Sequence, residues 1–206
     1  YVSDTTSGET QYHRFTTVQN PFVDQHSVSL PSDPATTTAA QYDISWLADY
    51  GTVNIASQQQ AHGLASDSVQ TTASGFITLT TMEWLPLHIT ASLAYELPTA
   101  WMMAQLRLYV LDPADPSVTL FSEVQSVDTF SGQPASGIAT ITGDVLLPTN
   151  GEWRLQYAME LVAFYGTQGY SASGDGFVEF TITPEVSSLT MLAASSLLVL
   201  RRRTRH

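Results

Sequence analysis

From Leu87 to Glu96 the chain changes polarity at almost every residue. Leu87, Ile89, Ala91, Leu93 and Tyr95 fall on one side, and His88, Thr90, Ser92, Ala94 and Glu96 on the other. A period of two belongs to a β-strand with one buried face, because successive side chains leave a pleated backbone in opposite directions. A helix, with its period of 3.6 residues, would scatter the same apolar set around its axis. The alternation returns after Trp153, where Trp153, Leu155, Tyr157, Met159 and Leu161 oppose Arg154, Gln156 and Glu160. Shorter runs over 75–82, 105–112, 118–124, 137–147 and 176–183 follow it, and 12–18, 26–30, 41–47 and 51–58 read as further strands.

Turn chemistry separates these runs. Asp112-Pro113 and Asp115-Pro116 break one connection, Ser131-Gly132 with Pro134 a second, and Pro148-Thr149-Asn150-Gly151 a third. Residues 1–9 read as an arm and 31–40 as a linker. About ten short strands at this spacing predict an all-β fold over residues 1–183, an antiparallel, jelly-roll-like β-sandwich.

Charge narrows the partners. The chain has no lysine, and up to Pro184 it holds 18 acids against three arginines, Arg14, Arg107 and Arg154, a formal charge of −15. A surface this acidic repels phosphate backbones, so no nucleic acid partner is expected. Without cysteine there is no disulfide, thiolate metal site or cysteine nucleophile. The chain opens at Tyr1 with no charged-then-apolar leader, as after signal-peptide removal or in a fragment.

The remaining four arginines, Arg201, Arg202, Arg203 and Arg205, stand in the last six residues, directly behind an apolar run. Ser187 to Leu200 is uncharged, and as a helix its fourteen residues would rise about 21 Å against a hydrocarbon layer of roughly 30 Å. By length alone this fits a buried helix or the core of a sorting signal. One or two cations satisfy a helix C-terminus, worth about 0.3–1 kcal/mol. Four are better explained by the positive-inside rule, with the arginines cytoplasmic, the acidic body sent outward and long side chains snorkelling to extend the span.

A Pro-Glu dipeptide, a short uncharged helix rich in Leu, Ala and Ser, and a terminal arginine cluster resemble the PEP-CTERM sorting signal. That signal occurs on exported proteins of Gram-negative bacteria, planctomycetes among them, that make extracellular polysaccharide. The resemblance covers about the last 23 residues. It implies Pro184, Glu185 and Val186 as the processing motif, 187–200 as the span and Arg201, Arg202, Arg203 and Arg205 as the membrane stop. Val186 stands where the family usually has a second proline. The implied partners are an exosortase-type transpeptidase, the inner membrane and extracellular polysaccharide. The implied course is transient anchoring with a periplasmic body, then release to the outer surface. The Ser/Thr-rich stretch over 171–183 is also similar in texture to regions preceding this signal in planctomycete proteins.

Chemistry in the body is sparse. Trp46, Trp84, Trp101 and Trp153 are the candidates for a sugar-stacking platform. Trp153 lies on the apolar face of a strong strand and reads as core, which leaves Trp84 and Trp101, beside Pro86 and Pro98, with Tyr95 and Tyr109 nearby. Packing under loops is the competing and stronger reading for that pair. Asp112, Asp115 and Asp128 could meet around one Ca²⁺ ion, the one candidate cofactor. Yet DPADPS lacks the Asp-x-Asp-x-Asp-Gly spacing, and Asp before Pro is ordinary turn chemistry. The histidines show no H-x-H or H-E-x-x-H spacing, and no G-x-S-x-G, G-x-G-x-x-G or P-loop occurs. Two carboxylates suffice for glycoside hydrolysis, so acids alone do not exclude it. The expectation is a structural or adhesive protein without catalysis, next a carbohydrate-binding module, and third a polysaccharide-active enzyme.

Overall fold

The alternating runs fold as strands, longer than the polarity pattern alone marks. The structure, a computed structural model, describes residues 2–4, 10–11, 22–47, 50–64 and 68–182. Its strands are β1 (Val2–Asp4), β2 (Thr10–Gln11), β3 (Phe22–Ser29), β4 (Thr37–Leu47), β5 (Tyr50–His62) and β6 (Val69–Thr81). They continue as β7 (Leu85–Leu97), β8 (Met102–Leu111), β9 (Thr119–Asp128), β10 (Ala135–Leu147), β11 (Gly151–Ala163) and β12 (Ser171–Ile182). All pair antiparallel, in two sheets of order β2-β1-β6-β11-β8-β9 and β10-β7-β12-β5-β4-β3.

From β5 onward, four strands of each sheet, β6-β11-β8-β9 and β10-β7-β12-β5, make an eight-stranded unit. The chain changes sheet at every connection within it except β8 to β9, which is jelly-roll wiring. The fold class is therefore an all-β antiparallel sandwich. The linker expected over 31–40 ends at Thr36, because Thr37–Ala40 pair with both β3 and β5. Ordinary alanines and threonines there satisfy two ladders at once, which polarity does not reveal. The expected arm over 1–9 contains β1, which pairs with β6. The strand expected over 12–18 and the whole tail from Thr183 lie outside the described residues.

The main core lies between the sheets. Leu87, Ile89, Ala91 and Leu93 of β7 face Trp153, Leu155, Tyr157, Met159 and Leu161 of β11, all buried as their period requires. Packing is tight enough to need a missing side chain: a Cβ at Gly176 on β12 would come within 2.2 Å of Met159 Sδ from the opposite sheet. Polar groups inside are paired. Gln59 donates to the Met159 carbonyl at 3.1 Å, and Thr71 Oγ1 donates to Gln59 Oε1 at 3.2 Å.

Tyr157 is 2% exposed, and burial, followed by the nearby Tyr42 hydroxyl, pushes its pKa well above the usual value of 10.0. The folded state thus holds a proton that the unfolded chain releases near pH 10. This contribution is complete below pH 10 and shrinks as pH rises above it. Denaturant midpoints measured from pH 8 to 11 are expected to fall less steeply in Tyr157→Phe than in the wild type.

Candidate functional site

The wiring gathers five connections at one end of the sandwich. These are the β3–β4 turn (30–36), the β5–β6 loop, the β7–β8 loop (98–101), the β9–β10 loop (129–134) and the β11–β12 loop (164–170). Three of them carry aromatic rings that stay in solvent. Trp101 is 50% exposed, Phe130 45%, Tyr165 62% and Tyr170 50%. The Trp101 ring lies 5.6 Å from Phe130 and 6.4 Å from Tyr165, nearly parallel to the latter, and Phe130 meets Phe164 edge-on at 5.2 Å. Exposed aromatics normally scatter singly; here four gather at one tip.

The backbone beneath is specified in detail. Trp101 has φ +62°, a left-handed conformation that costs a side-chain-bearing residue roughly 1–2 kcal/mol. Hydrogen bonds hold it there: Trp101 N donates to the Thr129 carbonyl, and Phe164 N donates to the Trp101 carbonyl at 2.9 Å. Thr129, fully buried, ties in Met102 through both its backbone and its hydroxyl. Gly63 N donates to the Tyr170 carbonyl at 2.8 Å, and any Cβ on Gly63 would strike the Thr167 backbone. Beside them His62 Nδ1 lies 3.1 Å from both Asp33 carboxylate oxygens, and Thr36 Oγ1 donates to Asp33 at 2.8 Å. Strain kept under an exposed tryptophan is an arrangement characteristic of binding surfaces.

Trp84 is also in a loop and 52% exposed, but at the opposite end. The 13-residue strand β7 lies between it and the Trp101 loop, about 40 Å of extended chain, so the two expected platform residues cannot share a ligand ring. Trp153 is core, its Nε1 donating to the Pro148 carbonyl. Tyr95 is half-buried against the core, and Tyr109 lies on the outer face of the β6-β11-β8 sheet. There a shallow depression forms over Ala158, walled by Phe76, Gln156, Tyr109 and Arg107. Arg154 stacks on Phe76 at 4.5 Å, and Arg107 pairs with the buried Glu160 carboxylate.

The three candidate calcium aspartates do not meet. Asp112 and Asp115 sit at the end opposite the aromatic loops, where Asp112 Oδ1 accepts from Ala114 N and Asp115 Oδ1 from Ser117 N and Oγ. These bonds lower the Asp115 pKa. Asp128 is at the far end of β9, capping Phe130 N at 3.1 Å. Their roles are local turn and cap chemistry, and among the described residues no group of three metal-binding side chains occurs. His88 points outward from β7, with Nδ1 2.7 Å from Asp144 and Nε2 3.2 Å from Thr90. That row connects acid, imidazole and hydroxyl, yet Asp144 is 87% exposed on an open sheet face, where water screens every partner. Among the described residues no helix is long and apolar enough to cross a membrane, and the tail segment falls outside them.

No protein-family model matches the chain, and no curated protein does. Among solved structures, it is similar to the VP2 subviral particle of infectious bursal disease virus, at 14% identity and TM-score 0.36 over 68% of this chain and 34% of that one. The Gx strain of the same virus gives 11% identity and TM-score 0.38, over 84% and 54%. A structure titled "CBM4 structure and function" gives 12% and 0.27, over 82% and 90%. The chain thus spans about a third to a half of the viral proteins. Likenesses at this level say nothing of ligand or assembly.

Proposed function

We propose that this chain is an exported, surface- or matrix-associated adhesive protein that grips extracellular polysaccharide without catalysis. The observation that carries the reading is the loop-end cluster of Trp101, Phe130, Tyr165 and Tyr170, solvent-exposed and held on a fixed backbone. Flat rings presented together suit sugar faces, whose C–H groups stack on aromatic surfaces while the hydroxyls stay in water.

Topology supports an outward display of that cluster. Strand β12 starts beside the aromatic loops at Ser171 and finishes at Ile182, at the other end of the sandwich. The PEP-CTERM-like segment therefore leaves from the end opposite the platform. In this proposal residues 187–200 halt in the inner membrane with Arg201, Arg202, Arg203 and Arg205 inside. An exosortase-type transpeptidase then acts near Pro184, Glu185 and Val186 and frees the acidic body. Recovery of released protein still carrying residues 187–206 would sink the processing step.

The test of the reading is a glycan array probed with the wild-type chain, with and without a chelator. Binding to one or more neutral polysaccharide fragments is expected, and it should survive chelation, because Asp112, Asp115 and Asp128 serve turns and caps. Silence across the array would remove the carbohydrate reading.

A further inference from the structure

The end from which the tail departs has an apolar tip of its own. Met82 is 84% exposed and Trp84 52%, both in the loop between β6 and β7. Leu146, 51% exposed, lies across from Pro86 on β10. On the other side of β7, Ile182 lies across from Leu87. The exit point and the apolar tip thus occupy three adjacent strands, within about 10 Å at the 4.8 Å strand spacing.

We infer that this tip is a foot that rests on the lipid surface while the tail is embedded. The inference rests on the tail being membrane-inserted and adds where the body then sits. Only residues 183–186 separate Ile182 from the uncharged run at Ser187. Four residues span at most about 14 Å when fully extended. A headgroup layer some 6 Å deep takes up nearly half of that. The fourteen-residue run also falls roughly 9 Å short of the hydrocarbon thickness, which draws the flanking residues inward. A tether so short holds the exit end against the headgroups, where an exposed tryptophan and methionine gain from partial burial. Glu83, Asp112 and Asp115 at the same end disfavour anionic lipid, so the surface that fits is zwitterionic.

The absence of cysteine makes the test clean. Single cysteines are placed in the full-length chain at Met82→Cys and, at the opposite end, at Tyr165→Cys, and each is labelled with a solvatochromic fluorophore. The chains are incorporated in phosphatidylcholine vesicles containing brominated lipid. The Met82 label is expected to shift to the blue and to be quenched, and the Tyr165 label to do neither. Trp84→Cys, labelled in the same way, should repeat the Met82 result if that variant folds poorly. Chains that float with the vesicles but leave the Met82 and Trp84 labels water-like would overturn the foot and spare the tail reading. Chains that do not associate with vesicles would overturn both. A shift that grows with protein density at fixed lipid would mean that the tips meet one another, and would overturn the lipid assignment.

Discussion

Phe180→Ala is expected to remove about 3–5 kcal/mol of stability. Phe180 is fully buried on β12, an inner strand of its sheet, with Ile89 and Val53 as cross-strand neighbours, both also fully buried. Truncation removes the transfer free energy of the ring and leaves a cavity that two flanking ladders prevent from collapsing. Against a typical total of roughly 5–15 kcal/mol, a loss of that size takes about a fifth or more of what holds the domain together. Phe177 on the same strand is the control, since three positions away it points to the outer face and stays half-exposed. Phe177→Ala, on a face open to water, should cost clearly less than Phe180→Ala. Both are measured by urea denaturation at constant m-value. A larger loss from Phe177→Ala than from Phe180→Ala would mean that β12 is slipped by one residue, because a one-residue slip exchanges its two faces.

Such a register is legible in the sequence for a physical reason. Where one face is buried and the other wet, as over Leu87–Glu96 and Trp153–Leu161, the alternation of side-chain polarity records the pleat directly. The record fails where inward positions are polar and paired. The run expected over 51–58 continues to His62 because Gln59 points inward and finds the Met159 carbonyl and the Thr71 hydroxyl. It fails again at Thr37–Ala40, which have no polarity contrast and still pair on both sides.

The aromatic tip is only half visible in the sequence. Trp101 beside Pro98 reads as a loop tryptophan, and the structure puts it in one. Phe130, Tyr165 and Tyr170 escape a reading of the sequence, because they are scattered over some forty residues and only the jelly-roll wiring brings their loops together. A local signal exists: each flanks turn residues, Ser131-Gly132, Gly166 and Gly169, and all three glycines have positive φ. Pairing Trp84 with Trp101 fails for the converse reason. Closeness in sequence says little when a full-length strand separates two loops.

Substitution of Trp101 separates strain from binding, because its two effects have opposite signs. The left-handed backbone at φ +62° suits glycine and penalises every residue with a Cβ. Trp101→Ala keeps that penalty and loses the ring contacts with Phe130 and Tyr165, worth about 0.5–1.5 kcal/mol each. Trp101→Gly loses the same contacts but relieves roughly 1–2 kcal/mol of backbone cost, offset in part by the freer unfolded chain. The glycine variant should therefore be the more stable of the two by about 1 kcal/mol, an inversion of the usual order of alanine and glycine. Glycan affinity should not follow stability. If Trp101 is the anchor of the platform, both variants lose about 2 kcal/mol of binding, roughly thirty-fold, whichever is better folded. Urea midpoints and titrations with the array's strongest ligand give the two readouts separately. An unchanged affinity in Trp101→Gly would move the contact surface away from this tip, leaving the strain at Trp101 as a feature of the loop alone.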